Sequence, residues 1–145
     1  MSNAVNSSGG ATVGVLICDD NEAMRVLLRA VIGLRRSLQV VGDAGDGEAA
    51  IVEAKRLQPD VILLDLAMPK RTGLDAIQEL RQVAPRAGII VFSGFSTASV
   101  ADDVIALGAA RYLSKGADVD EINDAIEEVA AQPLLRTPAA AAALG

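Results

Sequence analysis

One stretch near the middle of the chain constrains the fold most strongly, and it reads Asp-Val-Ile-Leu-Leu-Asp-Leu-Ala-Met-Pro from Asp60 to Pro69. Its apolar run, Val61 to Leu64, is too short for a buried helix and lacks the alternation of a half-exposed strand. Such a run is typical of a central parallel strand that is covered on both faces. The run ends at Asp65, and the carboxyl ends of strands are where open α/β sheets bind ligands.

Short apolar runs of this kind alternate along the chain with stretches whose apolar residues recur at helical spacing. Strands are predicted, each followed by a helix, at residues 13–18, 38–44, 60–65, 88–92 and 110–113. We expect the second strand to break at Gly42. The predicted buried face of the first helix consists of Ala23, Leu27, Ala30, Val31 and Leu34. Five such units with short connections predict one α/β domain with a doubly wound, five-stranded parallel sheet.

Several absences exclude whole classes of function. The chain has no histidine, which excludes Ser-His and Cys-His nucleophiles and His-ligated metal sites. Its single cysteine, Cys18, excludes intramolecular disulfides and cysteine-cluster zinc sites and fits a reducing compartment. The net charge of −6 argues against a general nucleic-acid-binding surface. Without a membrane-spanning apolar run or a signal-peptide pattern, the predicted location is the cytoplasm, with no membrane partner.

Polar side chains collect where the predicted strands end. Asp19 and Asp20 follow the first strand, Asp65 the third, Ser93 the fourth and Lys115 the fifth. Taken singly, these residues are ordinary helix caps, turn residues or surface charges. At the shared edge of a parallel sheet they form a site, because three carboxylates ionise together only beside a cation. Oxygen ligands favour a hard divalent ion such as Mg²⁺, and the lysine suits a phosphate.

These residues resemble the receiver domain of bacterial two-component response regulators. The resemblance covers residues 13–131 and rests on Asp19-Asp20, Leu63-Leu64-Asp65-Leu66-Ala67-Met68-Pro69, Val91-Phe92-Ser93-Gly94 and Tyr112-Leu113-Ser114-Lys115. It implies a flavodoxin-like fold with five helices and the strand order 2-1-3-4-5. Residues 1–12 are then expected to be a disordered segment or an expression scar, and residues 132–145 a linker-like tail rich in alanine and proline.

The resemblance also implies a role for each site residue. Asp65 would accept a phosphoryl group from a phosphohistidine on a sensor histidine kinase or a phosphotransfer protein. Asp20 and Asp65, together with the main-chain carbonyl of Ala67, would bind Mg²⁺, and Asp19 would act mainly through water. Lys115 and the metal would offset charge on the phosphoryl oxygens.

Two further residues are implied to form a switch. The hydroxyl of Ser93 would move to bond the phosphoryl group, and the ring of Tyr112 would turn inward into the space that is vacated. This would change the surface formed by the fourth helix, the fifth strand and the fifth helix, and homodimerisation on phosphorylation is a possible consequence.

The output of the domain is indicated by weaker patterns. Residues 40–47 and 113–117 resemble receivers that precede a LuxR-type helix-turn-helix domain, and residues 131–138 look like the linker between the two. We therefore expect a fragment of a transcription regulator that contacts DNA only through another domain. It would be a signalling module, not an enzyme, and would catalyse only its own Mg²⁺-dependent phosphorylation and dephosphorylation.

Three alternatives remain open at this point. The first is a stand-alone receiver that acts through protein contacts, and the second is a degenerate receiver that serves only as a binding scaffold. The third is a phosphatase with an aspartyl nucleophile. Such phosphatases usually carry a second acid two residues after the nucleophile, where this chain has Ala67.

Overall fold

The computed structural model describes residues 12–69, 73–94 and 98–132. Strands and helices alternate through these residues. The strands are β1 (Val13–Cys18), β2 (Leu38–Ala44), β3 (Val61–Leu64), β4 (Gly88–Ser93) and β5 (Arg111–Ser114). The helices are α1 (Glu22–Ile32), α2 (Gly47–Leu57), α3 (Gly73–Val83), α4 (Ala98–Ala106) and α5 (Val119–Ala130). Each predicted strand lies within one residue of these bounds.

The five strands form one parallel sheet in the order β2-β1-β3-β4-β5, which confirms the predicted topology. The register brings the carboxyl ends of neighbouring strands level with one another. Cys18 of β1 pairs with Leu64 of β3, and Leu64 pairs in turn with Val91 of β4. Residues that follow these strands therefore meet at one edge of the sheet.

Strand β3 lies in the middle of the sheet and is buried over its whole length. Its side chains alternate between the two faces, as they must in a strand. Ile62 and Leu64 belong to an apolar cluster that includes residues of α2 and α3. Val61 and Leu63 belong to a second cluster, formed with residues of α1 and α5. The prediction of a central strand covered on both faces is confirmed.

The buried face of α1 differs from the predicted one. Leu28, Val31 and Ile32 are buried in the helix, whereas Leu27 is 54% exposed and Leu34, just beyond it, is 69% exposed. Of the predicted face, only Val31 is buried. Apolar residues occupy more than one stripe of this helix, and helical periodicity does not decide which stripe meets the sheet.

Strand β2 is continuous through Gly42, so the prediction of a break there is wrong. Val15 of β1 pairs with Val40, and the next residue, Leu16, pairs with Gly42. Val41 is thus an extra residue in β2, which makes a β-bulge.

The helix ends follow local side-chain chemistry. Asn21, Asp46 and Asp118 are the N-caps of α1, α2 and α5, and each accepts a hydrogen bond from a backbone N–H in the first turn. Gly108, which follows α4, has a φ of +112°, as expected for a residue that ends a helix in the left-handed region.

Some predictions lie outside the described residues. They are the disordered segment over residues 1–11, the tail beyond residue 132 and the start of the fourth helix at Thr97. Among the helices that the structure describes, none has the length and apolar character needed to span a membrane.

Candidate functional site

Asp65 follows β3 directly and is held by main-chain hydrogen bonds. Its N–H donates to the carbonyl of Cys18, which keeps the residue in line with the sheet. Its Oδ1 accepts a hydrogen bond from the N–H of Ala67 at 3.1 Å. The side chain is nearly buried, with 4% of the residue exposed. A carboxylate is therefore fixed at the carboxyl edge of the sheet.

Asp19 lies beside it at the end of β1 and is 1% exposed. Its N–H donates to the carbonyl of Ala44 in β2, and its Oδ1 accepts from the N–H of Asn21 at 2.9 Å. Asp20 comes next in the chain, and its side chain is exposed. The acid pair thus consists of one anchored, buried carboxylate and one that faces solvent.

Lys115 follows β5 and bridges the two buried carboxylates. Its N–H donates to the carbonyl of Ser93, which ties it to the end of β4. Its Nζ donates to Asp19 Oδ2 at 2.9 Å and lies 3.3 Å from Asp65 Oδ2. Burial by itself lowers the pKa of the ammonium, but the hydrogen bond to Asp19 and the attraction of both carboxylates outweigh it and raise the pKa. Lys115 is therefore charged at neutral pH.

Burial raises the pKa of the Asp65 carboxyl above its ordinary value, and the neighbouring charge of Asp19 adds to this effect. The N–H of Ala67 and the ammonium of Lys115 oppose it without cancelling it. Burial thus opposes the ionised form of Asp65, and a cation beside the carboxylate would favour that form.

The three acids are close enough to share such a cation. Asp19, Asp20 and Asp65 each offer a carboxylate oxygen, and these oxygens lie within 4.8 Å of one another. Hard divalent cations prefer oxygen ligands of this kind. The residues present therefore fit a metal ion, and the cluster could hold one.

A pocket of about 430 Å³ opens over the carboxyl edge of the sheet. This volume accommodates a phosphoryl group, an ion and several waters, since a water occupies about 30 Å³ in the liquid. Of the predicted site residues, six line it: Asp19, Asp20, Asp65, Ala67, Ser93 and Lys115. Ser93 is fully buried at its base. The structure thus brings together residues from the ends of four strands.

Tyr112 is the predicted site residue that does not line the pocket. It lies on β5, where it pairs with Val91, and its ring packs against the apolar cluster that contains Leu64. The hydroxyl is buried and has no hydrogen-bond partner among the described residues. Tyr112 is therefore a partly buried residue that packs on the core next to the site.

Sequence reasoning missed three residues around the pocket. Asn21 and Gly94 line it, although neither was among the predicted site residues. Arg25 donates a hydrogen bond from Nη1 to the carbonyl of Asp19 at 2.6 Å. The sequence did contain a signal for Arg25. It lies four residues after Asn21, and this helical spacing places its side chain beside the turn that carries Asp19 and Asp20.

Comparison with known proteins agrees with this geometry. Residues 15–127 match the response regulator receiver domain. The chain belongs to the receiver domain family of response regulators. The match covers β2 to β5, most of β1, the acid cluster and Lys115, and it does not favour the aspartyl phosphatase alternative.

The relatives of this receiver domain include transcription regulators and a chemotaxis protein. It is 35% identical to the transcriptional regulatory protein YxjL of Bacillus subtilis (strain 168), over 89% of this chain and 60% of YxjL. It is 33% identical to the chemotaxis protein CheY of Thermotoga maritima, over 79% of this chain and 95% of CheY. This chain therefore spans about three fifths of the regulator and almost all of the chemotaxis protein.

Solved structures give the same assignment. A LuxR-family two-component response regulator from Aurantimonas sp. SI85-9A1 superposes with a TM-score of 0.79 and 29% identity, over 83% of this chain and 86% of that chain. The receiver domain is therefore similar both to receivers of LuxR-type regulators and to a CheY protein.

Proposed function

We propose that Asp65 is the phosphoacceptor of this receiver domain and that the phosphoryl group comes from a phosphohistidine on a sensor histidine kinase or a phosphotransfer protein. A lone pair on an Asp65 carboxylate oxygen forms the new O–P bond. The N–P bond of the phosphohistidine breaks, its electron pair stays on the imidazole nitrogen, and that nitrogen takes up a proton from water. The product is an acyl phosphate.

The observation that carries this proposal is the bridge made by Lys115 between Asp65 and Asp19. An ammonium 3.3 Å from the accepting carboxylate can offset the charge of a phosphoryl group joined to it. Transfer of a phosphoryl group depends mainly on such positioning and charge compensation. The buried hydroxyl of Ser93, in the same pocket, supplies a hydrogen-bond donor for the phosphoryl oxygens.

The metal proposed for the acid cluster is Mg²⁺. Asp20 and Asp65 would hold it directly, together with the main-chain carbonyl of Ala67, and Asp19 would contact it through water. When bound, it supplies positive charge that lets the carboxylates ionise together and offsets the phosphoryl oxygens. The proximity of the three carboxylates supports this assignment.

Ser93 and Tyr112 are proposed as the switch. Movement of the Ser93 hydroxyl toward the phosphoryl group would let the Tyr112 ring turn further inward, and the surface of α4, β5 and α5 would change with it. The two residues are on adjacent strands, and the Tyr112 ring already packs against the core. Homodimerisation on phosphorylation would follow from the altered surface.

The exposed stripe of α1 supports docking of the phosphodonor protein. Val26 and Leu27 of α1, and Leu34 just beyond it, present large apolar side chains to solvent. The helix begins at Glu22, two residues after Asp20, so a protein that binds these exposed residues would lie next to the acid pair. We therefore propose that the histidine-bearing partner binds here.

The proposed output is regulation of transcription in the cytoplasm, with this domain as a signalling module of a LuxR-type regulator. DNA would be contacted through another domain, and no enzymatic activity is proposed beyond the phosphorylation and dephosphorylation of Asp65. The domain boundaries, residues 13–131 between a leading segment and a linker, are part of this proposal. A helix-turn-helix in the reading frame beyond Gly145 would support it, and a stop codon there would favour the stand-alone alternative.

The test of the phosphoacceptor uses acetyl phosphate and intact-protein mass spectrometry. With Mg²⁺, the unmodified protein and the control variant Asp102→Asn, altered at an exposed acid of α4, should each gain one phosphoryl group. Asp65→Asn should gain none, and chelation of Mg²⁺ should prevent labelling of all three. Full labelling of Asp65→Asn would show that another residue is the acceptor.

A further inference from the structure

The guanidinium of Arg25 contacts the backbone of the acid pair, and Arg25 is not among the residues that line the pocket. Its Nη1 donates to the carbonyl of Asp19 at 2.6 Å, and its Nε lies 3.9 Å from Asp43 Oδ2. It also lies over Gly45, where a Cβ would meet Nη1 at 3.3 Å. The side chain is 21% exposed, so it is largely enclosed by its neighbours.

Arg25 acts on a particular group, the peptide that joins Asp19 to Asp20. The N–H and both carboxylate oxygens of Asp19 already have hydrogen bonds to Ala44, Asn21 and Lys115. These bonds hold Asp19 itself. The carbonyl belongs to the following peptide plane, and fixing that plane sets the direction in which the backbone enters Asp20. The Asp20 side chain is exposed, so its direction depends on the backbone that carries it.

The bulge in β2 places the other partner of Arg25. Residues paired in register share a face of the sheet, and Asp43 pairs with Ile17, whose side chain is in the cluster under α1 and α5. Without the extra residue, Val41, the side-chain parity of the strand would be reversed and Asp43 would face the opposite apolar cluster. The bulge therefore turns the Asp43 carboxylate toward α1.

Asp43 contacts a second arginine of the same helix. Arg29 Nη2 lies 3.0 Å from Asp43 Oδ2, closer than Arg25 does. Arg29 thus shares the Asp43 partner of Arg25, and no contact between Arg29 and the Asp19 carbonyl exists among the described residues. Arg25 and Arg29 are therefore a matched pair for mutagenesis, because both lie near Asp43 and only Arg25 contacts the peptide between Asp19 and Asp20.

We propose that Arg25 is a positioning residue that aims the Asp20 carboxylate at the divalent cation of the acid cluster, with Asp43 holding its guanidinium in place. The inference rests on the proposed function, since it concerns the same metal site. It assigns to Arg25 a role in cation affinity and leaves the chemistry of phosphoryl transfer to Asp65 and Lys115.

Electrostatics and positioning predict opposite results when Arg25 is removed. A positive charge near the carboxylates repels a divalent cation, so loss of that charge alone would tighten binding. Loss of the hydrogen bond to the Asp19 carbonyl would instead let the peptide rotate and weaken binding. Residues that orient metal ligands commonly change affinity by about 10-fold or more when they are replaced. The sign of the change therefore decides between the two effects.

The experiment measures Mg²⁺ affinity by titration calorimetry for the unmodified protein, Arg25→Met and the control Arg29→Met. We expect Arg25→Met to bind Mg²⁺ about 10-fold more weakly, as for other residues that orient metal ligands. Arg29→Met should bind as tightly as the unmodified protein, or more tightly. In labelling with acetyl phosphate, Arg25→Met should require about 10-fold more Mg²⁺ for half-maximal rate, with a nearly unchanged rate at saturating Mg²⁺.

Equal or tighter Mg²⁺ binding by Arg25→Met overturns the positioning role. Equal weakening in both variants also overturns it, because Arg29 does not contact the peptide. If Arg25→Met does not fold, Arg25→Gln decides the question, since its side chain is too short to reach the Asp19 carbonyl. Failure of the unmodified protein to bind Mg²⁺ would refute the proposed metal site itself, and this outcome is distinct from failure of the Arg25 inference.

Discussion

The ammonium of Lys115 donates to Asp19 Oδ2 at 2.9 Å, although the two residues are 96 positions apart in the sequence. The same Nζ lies 3.3 Å from Asp65 Oδ2. One cation is therefore shared by two nearly buried carboxylates from different strands. This contact joins the ends of β1, β3 and β5 into a single charged site.

Replacement of Lys115 by methionine should slow phosphorylation of the protein by acetyl phosphate by about 100-fold, because a charge-compensating donor at the reacting group is lost. The rate is measured by quenched-flow labelling at saturating Mg²⁺. Lys55→Met, which removes an exposed lysine from α2, is the control and should keep the normal rate. A normal rate for Lys115→Met would remove the ammonium from the proposed mechanism.

Asp65→Asn should stabilise the protein at neutral pH in the absence of Mg²⁺. The pKa of Asp65 is raised in the folded state, chiefly by burial, so the ionised carboxylate opposes folding. Between the ordinary carboxyl pKa and the raised one, the folded state binds more protons, and the stability of the unmodified protein falls as pH rises through that window. Below the ordinary pKa the penalty is absent.

The measurement for Asp65→Asn is urea unfolding across the acid range. The difference in unfolding free energy between the variant and the unmodified protein should be largest at neutral pH and should shrink as the pH falls from the raised pKa of Asp65 to the ordinary carboxyl pKa. A stability difference that is independent of pH would contradict the prediction.

Tyr112→Phe should raise the free energy of unfolding by about 1 kcal/mol, since a buried hydroxyl without a partner is costly. The hydroxyl of Tyr112 is buried and has no bonding partner within the part of the chain that is described. Tyr112→Leu serves as the comparison and should lower stability, because it removes the ring that packs on the core. Thermal or urea unfolding measures both. If Tyr112→Phe lowers stability, the hydroxyl makes a stabilising hydrogen bond and the prediction is wrong.

Gly108→Ala should lower the free energy of unfolding by about 1–3 kcal/mol, because its φ of +112° is unfavourable for any residue with a Cβ. The added methyl group would also collide with the guanidinium of Arg81, which donates to the carbonyl of Leu107. The control Gly116→Ala meets only ordinary contacts and should change stability little.

A second variant separates the two causes at Gly108. In an Arg81→Met background the collision is removed and only the backbone cost remains, so Gly108→Ala should cost less there. An equal cost in both backgrounds would assign the whole effect to the backbone conformation.

The strands were the most predictable part of this protein. Short apolar runs such as Val61–Leu64 are buried on both faces, and an unbroken run of apolar residues predicts this burial. The site residues Asp65, Ser93 and Lys115 were also predictable, because parallel strands end at one edge and polar residues at those ends must meet. Their roles in phosphoryl transfer and metal binding stay predictions.

Other features could not be read from residue types. The first helix has apolar residues on two stripes, and the structure buries Leu28 and leaves Leu27 exposed. The bulge at Val41 was interpreted as a break, since a single extra residue changes pairing without changing composition. Tyr112, predicted as a switch residue, is partly buried and packs against the core, and its role as a switch stays a prediction.

The sequence by itself determined the order of the elements and the kinds of groups at the carboxyl edge of the sheet, because periodicity and strand-end residues are local properties. Only the tertiary structure decided which stripe of α1 is buried, that Asp43 faces α1, and that Arg25 reaches the Asp19 carbonyl. The contact between Asp43 and α1 depends on strand register, and the contact between Arg25 and the Asp19 carbonyl depends on how side chains pack at the start of α1. Such geometry results from packing and register, which residue types alone do not specify.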